Sequence, residues 1–229
     1  MKNVIITGAG GALGEASVKE FQSKGFHVIA VLSPGKNISY KSKDSISLYH
    51  VDLTNEDKTS KLVDTIISTH QTIDVALLLV GGFAVGSIQD TDGAAINKMI
   101  SLNFETAYYA ARKIFNQMIS QPNGGRLVFV GAKPALSASA GKEKLAYSLS
   151  KSLIFKLAEL LNAAGSKSNV VSTVVVPSII DTEANRKSMP KSDPSNWVTA
   201  EEIARIISFA TSEDGVKLRE PVLKIYGAS

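Results

Sequence analysis

Short apolar runs alternate with amphipathic segments along most of the chain. The apolar runs lie at residues 2–7, 26–32, 46–51, 74–80, 126–131, 170–176 and 222–226. They are rich in Val, Ile and Leu and lack a helical period, which is typical of buried parallel strands. Helical patterns separate most of the later runs, over residues 55–69, 94–119, 142–164 and 200–212. This alternation predicts an α/β protein with helices on both faces of a parallel sheet.

Residues 33–45, between the second and third apolar runs, are an exception to this alternation because they lack apolar periodicity. That stretch is predicted to be a loop or a single turn. Thr199 followed three residues later by Glu202 predicts a capping box at the start of the last helix. The chain shows no internal repeat and no interdomain linker, so we expect a single domain over residues 1–229.

A glycine-rich turn follows the first strand, with the sequence Thr7-Gly8-Ala9-Gly10-Gly11-Ala12-Leu13-Gly14, and an amphipathic segment then runs to Gly25. Strand, glycine turn and helix in this order are the context of dinucleotide binding. Glycines let the backbone approach a pyrophosphate, and a helix N-terminus offers free N–H groups. We therefore predict a Rossmann-type, doubly wound sheet of about seven strands, in the order 3-2-1-4-5-6-7. The alternative is a tight turn without a ligand. The residues predicted to contact the cofactor here are Gly8, Gly10, Gly11, Ala12, Leu13 and Gly14.

Tyr147 and Lys151 lie four residues apart on a predicted helix, so both side chains share one face. A free tyrosine has a pKa near about 10. A nearby ammonium is expected to lower that pKa towards the range where general acid–base catalysis is efficient. The alternative is an exposed tyrosine beside a solvated lysine.

Composition narrows the class of protein. The 229 residues (24.3 kDa) include 44% hydrophobic residues and no cysteine, which excludes a disulfide framework and thiolate chemistry. A net charge of +4 is too small to indicate nucleic-acid binding. No apolar run is long enough to span a membrane, and the first strand begins too early for a signal peptide, so we expect a cytoplasmic protein. His27, His50 and His70 lack ligand spacing, so no metal site is predicted.

The glycine turn fits T-G-x-x-x-G-x-G with Ala12 in the middle glycine position. Together with the YxxxK pair it resembles the short-chain dehydrogenase/reductase family. The resemblance implies an NAD(P)-dependent oxidoreductase in which Tyr147 donates a proton to a small-molecule substrate. Lys151 would tune the phenol and hold the nicotinamide ribose. Asn103 would hold a water that links the lysine to solvent, or it is simply a packed polar residue. The resemblance further implies a homodimer or homotetramer formed through the helices at 94–119 and 142–164.

Ligands in open α/β sheets bind at the carboxyl ends of the strands. Asp52 either accepts a hydrogen bond from adenine or belongs to a turn or helix cap. The second strand ends in Leu32 and Ser33 and lacks the acid that would bind the ribose hydroxyls of NAD. Ser33 and the lysines at 36, 41 and 43 would instead suit a 2′-phosphate, so NAD and NADP both remain open. The further residues expected at the cofactor are Ser33, Asp52, Leu53, Gly81, Gly82, Pro177, Ser178 and Thr182.

The family's usual serine, about thirteen residues before the tyrosine, is replaced by Pro134, and Ser137 and Ser139 are shifted from that place. Without that hydroxyl, ordinary ketone reduction should suffer. The chain resembles the quinonoid dihydropteridine reductase branch, which also lacks this serine. The likeness extends to residues 80–84, 131–136 and 181–190, followed by Trp197.

That resemblance implies hydride transfer to a quinonoid dihydropterin-like or small carbonyl substrate. Residues 178–197 would form a substrate lid, with Trp197 either stacking on a ring or packing in the core. The alternative is a catalytically silent dinucleotide-binding regulator or redox sensor.

Overall fold

A seven-stranded parallel sheet forms the centre of the protein. The computed structural model describes residues 1–36, 38, 45–218 and 221–227. The sheet has the order β3-β2-β1-β4-β5-β6-β9, which confirms the predicted fold class. Its last strand is the ninth in the chain because β7 and β8 pair only with each other. In chain order the strands are β1 (Asn3–Thr7), β2 (His27–Leu32), β3 (Ile46–His50), β4 (Val75–Leu78), β5 (Gly125–Val130), β6 (Val170–Pro177), β7 (Ile180–Asp181), β8 (Val198–Thr199) and β9 (Val222–Ile225).

Both faces of the sheet are buried against helices. Val4 and Ile6 of β1 pack into the apolar cluster on one face, whereas Ile5 between them packs into the cluster on the other. The first face is covered by α1 and α9, and the second by α2, α4 and α7. This two-sided burial explains why the strands are continuous apolar runs. The helices are α1 (Ala12–Ser23), α2 (Glu56–His70), α3 (Gly93–Ile100), α4 (Thr106–Ser120), α5 (Lys133–Leu136), α6 (Ala138–Gly141), α7 (Leu145–Gly165), α8 (Glu183–Ser188) and α9 (Ala200–Ala210).

The helix predicted over 94–119 contains a π-helical turn. Residues Ser101–Glu105 form this turn between α3 and α4. A π turn accommodates one extra residue and often occurs at functional sites. Here it contains Asn103, which is buried. Apolar periodicity does not distinguish such a turn from ordinary helix, so the sequence predicted one uninterrupted element.

Several boundaries also differ from the expectation. The helix predicted from residue 142 begins at Leu145, after the short helices α5 and α6. The fourth strand ends at Leu78 rather than at residue 80, which leaves the chain free to turn through Gly81. The capping box is confirmed, since the Thr199 hydroxyl accepts from the Glu202 amide and the Glu202 carboxylate accepts from the Thr199 amide.

Candidate active site

The glycine turn forms a tight cradle at the start of α1. Gly8 has φ +68°, a conformation that L residues with side chains rarely adopt. A Cβ on Gly14 would stand 2.1 Å from the Gly8 carbonyl oxygen, so only glycine lets the helix approach the strand here. Gly11 is the N-cap and supplies no capping side chain, so the first-turn N–H groups remain available to an anion. Ala12 is exposed at the first helical position, where its methyl group is not packed in the core.

A cavity of about 400 Å³ lies beside this cradle, at the carboxyl ends of the first four strands. Its walls include seven of the predicted cofactor residues: Gly8, Gly10, Gly11, Ser33, Asp52, Leu53 and Gly81. Sequence reasoning missed other wall residues, which follow strand ends or lie on the helical segment around Asn103: Thr54, Leu79, Val80, Leu102 and Thr106. The predicted residues outside these walls are Ala12, Leu13, Gly14, Gly82, Tyr147, Lys151, Pro177, Ser178 and Thr182.

Asp52 matches the turn reading of its two predicted roles. Its carboxylate accepts hydrogen bonds from the Thr54 amide (3.0 Å) and the Thr54 hydroxyl (2.6 Å), so it is a turn residue. The Thr54 hydroxyl and amide lower the pKa of the carboxyl below its ordinary value. The same side chain lines the cavity. The adenine contact stays a prediction.

The end of β2 presents no carboxylate to the cavity. Leu32 is buried there, and exposed Ser33 and Lys36 line the wall. Lys41 and Lys43, the other two members of the predicted basic cluster, lie outside the described residues. Lys36 is therefore the lysine of that cluster that the structure places at the cavity.

Lys151 is buried, with 5% of its surface exposed, and its ammonium donates to the Val130 carbonyl at 2.8 Å. Val130 is the last residue of β5, so the lysine reaches the carboxyl end of the sheet. Burial lowers the pKa of Lys151 to about 8. The amine is therefore mostly protonated at neutral pH and close to the range where it exchanges protons.

Burial raises the pKa of Tyr147 to about 12. The expectation that the neighbouring ammonium lowers this pKa is therefore wrong for this structure. The Lys151 ammonium is bound to the Val130 carbonyl, and loss of water around the phenol dominates. The tyrosine is a neutral phenol at neutral pH, which is the form that donates a proton.

Asn103 links the tyrosine helix to the end of β4. Its side-chain carbonyl accepts from the Gly82 amide at 2.8 Å, and its side-chain amide donates to the Ser150 hydroxyl at 3.0 Å. Ser150 in turn donates to the Tyr147 carbonyl at 2.8 Å. Sequence reasoning missed Ser150, although it lies within the YxxxK segment. The chain of bonds fixes Asn103 relative to the helix turn that carries Tyr147.

Gly81 and Gly82 make room for side chains of the protein itself. A Cβ on Gly81 would stand 2.7 Å from the Asn103 side-chain oxygen and 3.2 Å from the Lys151 ammonium. One on Gly82 would stand 2.4 Å from a Leu102 methyl group. The two polar groups therefore converge on one point at the edge of the cavity, and the glycines permit that convergence.

Phe83 is an aromatic residue of the site that sequence reasoning missed. It is 60% exposed, and its ring meets the Tyr147 ring edge to face, with 5.1 Å between centroids. The loop that carries it is held to the segment before α7 by Gly86, which donates to Glu143 and accepts from Leu145, both at 2.9 Å. An exposed aromatic surface therefore borders the phenol.

The residues after β6 have structural contacts of their own. Ser178 donates its hydroxyl to the Tyr226 carbonyl at 2.9 Å, and Thr182 caps α8 by accepting from the Asn185 amide. Trp197 is only 8% exposed, which matches its reading as a packing residue rather than as a ring-stacking one. The lid role of residues 178–197 stays a prediction.

The place of the family's usual serine is at the start of α5. Pro134 lies in the first turn of α5, and the hydroxyls of Ser137 and Ser139 contact each other at 3.0 Å.

Comparison with known proteins identifies the family. A family model described as short chain dehydrogenase matches residues 2–193. The chain belongs to this family. Dihydropteridine reductase of Dictyostelium discoideum is 26% identical to this short-chain dehydrogenase over 93% of this chain and 89% of that protein. Acetoacetyl-CoA reductase of Acinetobacter sp. (strain RA3849) is 24% identical over 99% and 96%, respectively. The solved structure of ElxO with NADP bound covers 99% of this chain and 97% of its own, with a TM-score of 0.87 and 23% identity.

Membership of the short-chain dehydrogenases confirms the expectation of an oxidoreductase that uses NAD or NADP. In the part of the chain that the structure describes, we find no helix with the length and apolarity of a membrane span.

Proposed function

We propose that this short-chain dehydrogenase reduces a quinonoid dihydropterin-like or small carbonyl substrate with Tyr147 as the proton donor. The observation that carries the proposal is the convergence of Asn103 and Lys151 on Gly81, beside a glycine cradle and one helix turn from a neutral phenol. The likeness to dihydropteridine reductase supports the first substrate class.

The residues present fit a nicotinamide dinucleotide. The cradle at Gly8 and Gly14 excludes any Cβ, and no side chain caps the N–H groups at the start of α1. Gly8, Gly10 and Gly11 would hold the pyrophosphate, Asp52 and Leu53 the adenine, and Lys151 the nicotinamide ribose. Once bound, such a cofactor supplies the hydride.

Proton transfer then falls to Tyr147 and Lys151. The phenol gives its proton to the substrate atom that becomes negative when hydride arrives, so charge and atoms balance. Tyr147 keeps its proton at neutral pH, because burial raises the pKa of the phenol to about 12, so the proton to be transferred is present. Lys151, one helix turn away and with a pKa lowered to about 8, returns a proton to the phenolate.

The surroundings of the phenol favour a flat substrate. Phe83 offers an exposed ring face beside Tyr147, and aromatic rings stack favourably on one another. Pro134 supplies no hydroxyl to a ketone oxygen, which disfavours ordinary ketones. A flat, electron-poor ring therefore suits this site better than an aliphatic ketone.

We expect NADPH to bind more tightly than NADH. Lys36 and Ser33 line the cavity at the end of β2, where a carboxylate would otherwise receive the ribose hydroxyls. A lysine is a natural partner for a 2′-phosphate.

The test is steady-state oxidation of NADH and NADPH with quinonoid dihydropterin and with a panel of ketones. We expect turnover with the dihydropterin, and we expect Tyr147→Phe to lower kcat by at least about 100-fold. The dissociation constant of the dinucleotide should stay unchanged in that variant. Near-normal turnover by Tyr147→Phe would overturn the mechanism. Tight dinucleotide binding without turnover on any substrate would favour a silent regulator.

We also propose a homodimer or homotetramer. Leu149, Leu153 and Leu160 form an exposed apolar row on α7. Several apolar residues of the 94–119 segment are instead buried in the core, namely Met99, Ala107, Ala110, Ile114 and Met118. Light scattering that gives the mass of one chain at micromolar concentration would contradict association.

A further inference from the structure

Lys133 is a cation at the substrate side of the sheet that the proposed mechanism does not use. It is the first residue of α5, three residues after the carbonyl that holds Lys151. Its ammonium lies over the ring of Tyr226, 5.1 Å from the centroid. Among the described residues, no carboxylate forms an ion pair with it within 4.0 Å.

The contact with Tyr226 fixes where this charge lies. β6 separates β5 from β9 in the sheet, and Tyr226 directly follows β9. The side chain of Lys133 therefore extends from β5 across the carboxyl end of β6. Tyr226 is itself tied to that end, because its carbonyl accepts from the Ser178 hydroxyl at 2.9 Å.

The backbone at Lys133 is also close to the helix turn that carries the phenol. The Pro134 carbonyl lies 2.6 Å, and the Ser148 hydroxyl 2.8 Å, from the point where a Cβ on Gly141 would stand. Ser148 is the neighbour of Tyr147 in α7. α5 therefore packs beside the start of α7, and the ammonium and the phenol belong to the same edge of the sheet.

We propose that the Lys133 ammonium, oriented by Tyr226, binds an electron-rich oxygen of the substrate that is conjugated to the atom receiving hydride. It takes the role of the hydroxyl that Pro134 cannot supply. The inference rests on the proposed function, since it assigns the substrate of the same site. The substrate class is a flat heterocycle with an amide-type carbonyl, rather than an isolated ketone.

The chemistry of hydride addition explains why a cation belongs here. Hydride brings two electrons into the ring, and negative charge spreads to the conjugated oxygen before Tyr147 delivers its proton. An ammonium bound to that oxygen stabilises the developing charge. A hydroxyl suits a localised ketone oxygen, whereas an ammonium is the stronger partner for an oxygen that gains charge.

The experiment compares Lys133→Met, Lys133→Arg and Tyr226→Leu with the matched control Lys142→Met, an exposed lysine between α6 and α7. For quinonoid dihydropterin we expect Lys133→Met to lower kcat/KM by about 10- to 100-fold, the usual value of a hydrogen bond to a charged group. Lys133→Arg should retain most activity. Tyr226→Leu should lose part of it, with no further loss when combined with Lys133→Met. NADPH affinity and the kcat/KM of an unconjugated ketone should not change in any variant.

A binding measurement separates this inference from the proposed function. Calorimetry with an oxidised pterin that cannot be reduced reports the contact without any turnover. We expect Lys133→Met to weaken its binding about 10-fold or more, and Lys142→Met to have no effect. If the wild type binds this pterin through Lys133 but turns over no substrate, the proposed function is wrong and the assignment of Lys133 stands. Equal binding by wild type and Lys133→Met, absence of binding by the wild type, or loss of NADPH affinity in Lys133→Met would overturn the assignment.

Discussion

Replacing Gly81 with alanine tests the geometry on which the site depends. The added Cβ would lie 2.7 Å from the Asn103 side-chain oxygen. Carbon and oxygen atoms rarely approach closer than about 3.3 Å, so the side chain has to withdraw by about half an ångström. That shift lengthens its hydrogen bond to the Gly82 amide, now 2.8 Å, to about the limit of such bonds.

Two measurable losses follow from this displacement. Weakening this part-buried hydrogen bond costs about 0.5–1.5 kcal/mol of unfolding free energy, and each kcal/mol lowers Tm by about 2–4 °C in a protein of this size. The Lys151 ammonium, 3.2 Å from the same Cβ position, is disturbed as well. We expect kcat to fall by about 10- to 100-fold, as for small misplacements of catalytic groups.

The assay measures urea denaturation and dihydropterin turnover for Gly81→Ala beside two controls. Gly93→Ala adds a Cβ with no atom within 4 Å, so it should behave like the wild type. Gly82→Ala meets only a Leu102 side chain, which can rotate away, so its kcat should fall less than that of Gly81→Ala. A Gly81→Ala protein with unchanged stability and unchanged kcat would refute the convergence of Asn103 and Lys151 at this point.

Three further changes test other parts of the structure. Phe83→Leu removes the exposed ring beside Tyr147, so KM for the dihydropterin should rise about 5- to 10-fold with little change for an aliphatic ketone, as expected for a lost stacking partner; an equal effect on both substrates would argue against stacking. Lys36→Glu should raise KM for NADPH and lower it for NADH, and unchanged ratios would place the 2′-phosphate elsewhere. Burial lowers the pKa of His27 and of His70, the latter also through the neighbouring His27, so the unfolded chain takes up protons first as the pH falls. Their contribution to stability is therefore complete above about pH 6.5 and is lost below it. The midpoint of urea denaturation should therefore decline less between pH 8 and pH 5 in a His27→Gln, His70→Gln double variant than in the wild type.

The fold was predictable because its signals are local. Alternate residues of β1 pack on opposite faces of the sheet, and a strand buried on both sides has to be apolar throughout. The glycine turn was equally readable, since a positive φ at Gly8 and contact at Gly14 each require glycine. The four-residue spacing likewise places Tyr147 and Lys151 on one face of α7.

The details of the site depend on tertiary contacts and could not be read from the chain. The pKa of Tyr147 follows from its burial, which no local pattern encodes. The contact between Phe83 and Tyr147 depends on how one loop docks on the segment before α7. Lys133 and Tyr226 meet only because β5 and β9 flank β6 in the finished sheet.

The π-helical turn makes the placement of Asn103 sensitive to chain length. Removing a single residue between Ser101 and Glu105 would let α3 and α4 fuse into one regular helix. Helix propensity alone favours that change. Because the π turn holds one extra residue, the side chains before and after the deletion would keep their directions, whereas those within the turn, Asn103 among them, would change theirs. The irregular turn therefore keeps the Asn103 side chain at the end of β4, and a regular helix would move it away from the Gly82 amide.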